Sequence, residues 1–205
     1  MASANVPARL LTALAAAALF LPLFACGGSV SVKEKDNGKG DKDVTIQSPV
    51  ANLHVGKDVK GADTGIAVYP GAKLVEKDDD GGSDRANVNI STPFFGLKLV
   101  VVKFVSEDAP QKLVDFYSSE LKRYGKILQC NKSGSNTDWN VNIDSDEKPK
   151  NSGQLSCSGD GKGDTVELKV GSNNNAHIVA VTPKGKGAEF ALVYVRARSE
   201  NDSTI

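Results

Sequence analysis

Hydrophobic and polar residues fall into stretches of different period along this chain. Residues 10–24 are apolar except for Thr12 and Pro22. That run is shorter than the roughly 20 apolar residues a membrane-spanning helix needs. Residues 27–43 are polar, glycine-bearing and mixed in charge, a composition that predicts a flexible tether. Strand-like alternation begins with Val44 and Ile46, breaks at Pro49 and resumes with Leu53 and Val55. Residues 97–105 are dominated by valine, and the run Val100-Val101-Val102 predicts a strand buried on both faces. Leu113, Phe116, Tyr117, Leu121 and Tyr124 recur at helical spacing. Ser106 or Asp108 can cap that helix, Pro110 suits its first turn and Gly125 its end. Further strands are predicted over 126–130, 138–143, 154–157, 165–170, 177–182 and 189–198, the last three joined by turns at 173–175 and 183–187. One helix among many strands indicates an α+β fold, an antiparallel β-sheet with one main α-helix packed on one face. The domain is expected over 44–198, with a polar tail at 199–205.

A second pattern is internal. Val44, Ile46, Ser48, Pro49, Leu53 and Val55 correspond, 44 residues on, to Val88, Ile90, Thr92, Pro93, Leu97 and Leu99. Two copies fall short of the three expected of a solenoid. They read either as coincidence or as two similar strand–turn–strand pieces, with the second reading preferred, and no chemistry follows from them.

The amino terminus adds a location. Residues 1–9 carry one basic and no acidic side chain, and the apolar run that follows fits a secretory signal peptide over 1–25. It ends in Leu23-Phe24-Ala25-Cys26, followed by Gly27-Gly28, which closely resembles the lipobox of bacterial lipoproteins. The resemblance implies cleavage before Cys26, acyl chains on that cysteine and a tether over 26–43. Glycine after the cysteine implies the outer membrane, facing the periplasm. A further set of residues, Val68-Tyr69-Pro70-Gly71-Ala72 and then Phe116, Tyr117, Leu121 and Gly125, resembles a bacterial envelope domain with the layout YPGA … FYxxxLxxxG. That likeness spans roughly residues 65–130; its motifs are a turn, a core helix and a helix stop, and it implies no activity, catalytic residue or ligand.

Charge and cysteine count narrow the function. The whole chain has 25 basic and 25 acidic side chains. Loss of residues 1–25 would remove only Arg9, so no basic excess points to nucleic acid or to an anionic membrane surface as partner. Of three cysteines the lipobox takes one, leaving Cys130 and Cys157 as an even pair in an exported chain and hence an expected disulfide. The two histidines, His54 and His177, lie in alternating strand patterns with no readable nucleophile or metal-ligand spacing. Residues 159–164 alternate glycine with charge but lack the ending of a phosphate loop. Asp78, Asp79, Asp80 and Asp84 form an acidic loop that could offer oxygen ligands to calcium, without the EF-hand spacing. Trp139, Val141 and Ile143 share one strand face and are expected in the core. No cofactor is expected. The expectation is a non-enzymatic binding or structural module of the cell envelope, held to a membrane through Cys26 and meeting an envelope protein. The alternatives are a small-ligand or calcium-binding periplasmic module and, behind it, a periplasmic hydrolase.

Overall fold

The structure is a computed structural model and describes residues 30–36, 42–75, 85–133, 153–157 and 161–199. Its strands are β1 (Ser31–Asp36), β2 (Lys42–Ser48), β3 (Ala51–Gly56), β4 (Lys73–Leu74), β5 (Arg85–Ser91), β6 (Phe95–Ser106), β7 (Leu128–Lys132), β8 (Thr165–Ser172), β9 (Asn175–Lys184) and β10 (Gly187–Ser199). The helix α1 covers Pro110–Glu120, and short 3-10 turns occupy Gly61–Thr64 and Leu121–Tyr124. All strand pairs are antiparallel, in the order β1-β2-β3-β5-β6-β10-β9-β8-β7; β4 pairs with β6 beyond the end of β5. The fold is therefore α+β, an antiparallel sheet with one helix against it, as the periodicities predict.

The helix forms where the apolar spacing places it. Leu113, Tyr117 and Leu121 are fully buried and Phe116 and Tyr124 half-buried, with Val114 buried as well. This stripe lies over β8 and β9, against Leu168, Val170, Val179 and Val181. The 3-10 turn at Gly61–Thr64 covers β6 and β10 on the same side. Gly125 ends the helical segment at φ 133°, a conformation open to glycine. Neither expected cap acts as one: the N-cap position is Ala109, with no side-chain hydrogen bond. Pro110 at the first helical position removes one of the unpaired N–H groups, while Asp108 is engaged by Tyr69 and Lys112 instead.

The apolar face of the sheet changes sides midway. On β8 and β9 the apolar residues face the helix. On β2, β3 and β5 they face away from it, because registers pair Val44 with Val55, Val55 with Val88, and Val88 with Leu99, the last on β6. Strands β6 and β10 lie between and are buried on both sides. Val100, Val102, Phe190 and Leu192 point to the helix; Val101, Ala191, Val193 and Val195 form a second cluster on the other face. The expected burial of Val100-Val101-Val102 on both faces is observed, at 1%, 6% and 0% exposure.

Two expectations are corrected. Ser31–Asp36 falls within the stretch expected to be a tether, yet it forms β1 and pairs with β2 from Ser31↔Gln47 to Asp36↔Lys42. Ordered structure thus begins before Val44. Residues 154–157 form no strand; they run beside β7, where Cys157 meets Cys130. The strand expected over 138–143, with Trp139, Val141 and Ile143, lies outside the described residues, as does the tail after Ser199.

Candidate interaction surface

The two copies of the internal pattern are two hairpins of one design, β2–β3 and β5–β6. Each turn is held by the hydroxyl before its proline. Ser48 Oγ donates to the Ala51 carbonyl at 3.0 Å and accepts the Ala51 N–H at 3.0 Å. Thr92 Oγ1 does the same with Phe95, at 2.9 and 2.8 Å. The hairpins then pair with one another through β3 and β5. Because directly opposed residues share a face, the eight aliphatic positions of the repeat fall into two rows across four strands. One row is Ile46, Leu53, Ile90 and Leu97; the other is Val44, Val55, Val88 and Leu99. Strand β1 adds Val32 opposite Ile46, and β10 adds Val195 opposite Leu99.

No helix among the described residues packs on these rows. Most of their side chains are half-buried, while Val55 is 42% and Val32 63% exposed. The turn tips are more open still: Val50 is 68% and Phe94 65% exposed, each following a proline. An apolar side of these strands is thus partly open to solvent, at Val32 and Val55. The opposite side of the same strands is polar, with Gln47, Asn52, His54, Asn87 and Asn89.

Elsewhere among the described residues, several polar side chains are bonded to neighbouring groups. The Tyr69-Pro70-Gly71-Ala72 turn closes with the Ala72 N–H on the Tyr69 carbonyl at 3.1 Å and Gly71 at φ 77°, which suits a type II turn. The buried Tyr117 hydroxyl accepts the Tyr69 N–H at 3.0 Å, and burial holds it well above the ordinary phenol range. Tyr69 Oη donates to Asp108 Oδ2 at 3.0 Å, and Lys112 Nζ binds Asp108 Oδ1 at 2.7 Å. The Lys112 hydrogen bond, with that of Tyr69, lowers the Asp108 carboxyl. Pairing raises the Lys112 ammonium in turn. A groove of about 510 Å³ runs past Pro70, Lys73, Glu107 and Asp108. Its two carboxylates are each paired with a lysine, Glu107 with Lys73 at 3.3 Å.

The histidines are likewise engaged. His54 Nδ1 shares a hydrogen bond with Thr45 Oγ1 at 2.9 Å. His177 stacks on Tyr124 with centroids 3.9 Å apart, leans on Tyr194 at 4.9 Å, and meets the Thr64 carbonyl at 3.0 Å through Nδ1. Burial pushes its imidazole below the usual value and the Arg123 cation acts the same way, against the Thr64 carbonyl, which favours the proton. Arg123 Nη2 and the Tyr124 hydroxyl both donate to the carbonyl of Gly65, which sits at φ 74°. A Cβ there would meet His177 Cε1 and Tyr124 Oη at 3.2 Å. The cluster thus anchors the loop after the first 3-10 turn.

Cys130 and Cys157 form the expected disulfide, with Cα atoms 5.5 Å apart. It lies on the face away from α1, next to the buried side chains of Glu167 and Lys169. These two are 3.0 Å apart, an ion pair by distance, although Glu167 Oε2 gains no well-angled hydrogen bond from it. Cys26 and the acidic residues Asp78, Asp79, Asp80 and Asp84 lie outside the described residues. Among the described residues no group of three or more His, Cys, Asp or Glu is placed to hold a metal ion, and no helix is long and apolar enough to cross a membrane. The surface formed by the repeat is the feature that sequence reasoning missed, although its eight positions were visible in the pattern. Comparison of the chain with protein families, with curated proteins and with solved structures finds no match.

Proposed function

We propose that this chain is an exported lipoprotein, cut before Cys26 and held by acyl chains on that cysteine to the outer membrane, facing the periplasm. In this reading it is a non-catalytic binding module, and an envelope protein meets it on the apolar face of β2, β3, β5 and β6. The observation that carries the reading is the pair of four-strand aliphatic rows, continued outward by Val32 and by the open side of Val55. The bonding of both histidines to neighbouring groups and the pairing of the groove carboxylates with lysines support a structural role for these polar groups. Metabolic labelling with a fatty-acid analogue should mark the native protein, and Cys26→Ser should abolish both the label and membrane fractionation. Partners cross-linked in the envelope should be lost on Val32→Asp with Val55→Asp and kept on Lys122→Asp, a change at an exposed position of the 3-10 turn after the helix. An unlabelled native protein would refute the anchor; partners that survive the face variant would refute the face.

A further inference from the structure

We infer that one end of the sheet rests on the bilayer: Val30 and the tips of the β2–β3 and β5–β6 hairpins enter the lipid interface, with a row of cations behind them. The inference rests on the proposed anchor at Cys26 and adds an orientation to it. Antiparallel registers bring three separate segments to one end. Ser31 opposes Gln47, so Val30 lies beside the chain entering the Pro49-Val50 tip. Asn52 opposes Ser91, so the Pro93-Phe94 tip is its neighbour. Val30, Val50 and Phe94 are 64%, 68% and 65% exposed, three large apolar side chains open together at one edge of the molecule.

The anchor reaches the same end. Because β1 begins at Ser31, the tether is far shorter than composition suggests. Four residue steps separate Cys26 from Val30, a reach of at most ~14 Å. A lipidated cysteine on so short a lead brings this end, and not the far one, to the headgroups. Partial burial of apolar tips at that depth is the mode of interfacial proteins.

Charge points the same way. One register row on the polar side runs Lys33, Thr45, His54, Asn89, Lys98, Arg196 and Asn175; the next, nearer the tips, runs Ser31, Gln47, Asn52, Ser91, Gly96 and Arg198. These rows hold four exposed cations and no carboxylate. The next acids along the chain, Glu200 and Asp202, lie outside the described residues. At the far end, by contrast, Lys184 pairs with Glu189, Lys73 with Glu107 and Lys112 with Asp108. Anionic headgroups attract the first set and gain little from the second, whose charge is already balanced.

The test uses processed, acylated protein in vesicles of phosphatidylethanolamine and phosphatidylglycerol containing a shallow-brominated phosphatidylcholine. In a Trp139→Phe background, Phe94→Trp should be quenched at least two-fold and shifted to the blue, while Lys186→Trp at the far end should be unaffected. Equal quenching at both positions, or none at Phe94→Trp, would overturn the inference. Should Trp139→Phe fail to fold, acetylation of the native protein decides the same question. Lys33 and Lys98 should be protected several-fold relative to Cys26→Ser protein in solution, and Lys73 and Lys186 should not; uniform labelling would refute it. Mass spectrometry of the same sample reads the acyl chains, so a missing anchor, which removes the premise and the inference together, is distinguished from a wrong orientation.

Discussion

His177 is the residue at which stability should respond most plainly to pH. It is held neutral in the fold by burial and by Arg123, below its ordinary value near 6.5, whereas in the unfolded chain it titrates at that value. As pH falls through 6.5 the unfolded state takes up the proton first. The contribution to stability is therefore complete above about 6.5 and is lost progressively toward the depressed folded value. Denaturant midpoints compared at pH 7.5 and pH 5 should fall more in the native protein than in His177→Gln. An equal fall would assign the pH dependence to other groups. In the sequence His177 reads only as one more position in an alternating strand. Its partners Thr64, Gly65, Tyr124 and Tyr194 come from three separate segments, so nothing local announces the cluster.

At the scale of elements, the disulfide between Cys130 and Cys157 ties β7 to a segment that has no strand of its own. The closed loop spans a sequence separation of 27, for which chain entropy gives about 3.5 kcal/mol. Cys130→Ala with Cys157→Ala should lower unfolding free energy by about that amount, measured by denaturation of oxidised native and variant protein. A loss well under 1 kcal/mol would mean that the segment is held by other contacts. This pairing was legible because subtraction of one cysteine left only two. The helix was legible too, since Leu113, Tyr117 and Leu121 repeat its period locally. Strand β1 was not: Ser31–Asp36 alternates Val32 and Glu34 with Lys33 and Lys35, which composition reads as solvated tether. Only its pairing with β2 makes it a strand. The aliphatic face was half legible, in that the repeat marked all eight side chains. Their convergence depends on β3 pairing with β5 across residues 57–84, a distant contact that alternation within each strand cannot specify.

For the molecule as a whole, the decisive arrangement is that the last strand in sequence is central in space. Strand β10 lies between β6 and β9, and it supplies Phe190 and Leu192 to one apolar cluster and Val193 and Val195 to the other. Everything before it amounts to two separate half-sheets, β1 to β6 and β7 to β9, each with an open edge where β10 belongs. An order of folding as the chain emerges from its amino terminus follows from this. A chain emerging from its amino terminus during synthesis can form local hairpins early, but it cannot close either core until residues 187–199 have emerged. Closure of both cores thereby waits for this one strand, which leaves the open edges in need of protection in the meantime. A chain ending at Lys184 should lose cooperative unfolding and aggregate, and a separate peptide of residues 185–205 supplied in trans should restore a single transition by calorimetry. A stable, cooperatively melting truncated protein would mean that the half-sheets stand without their keystone.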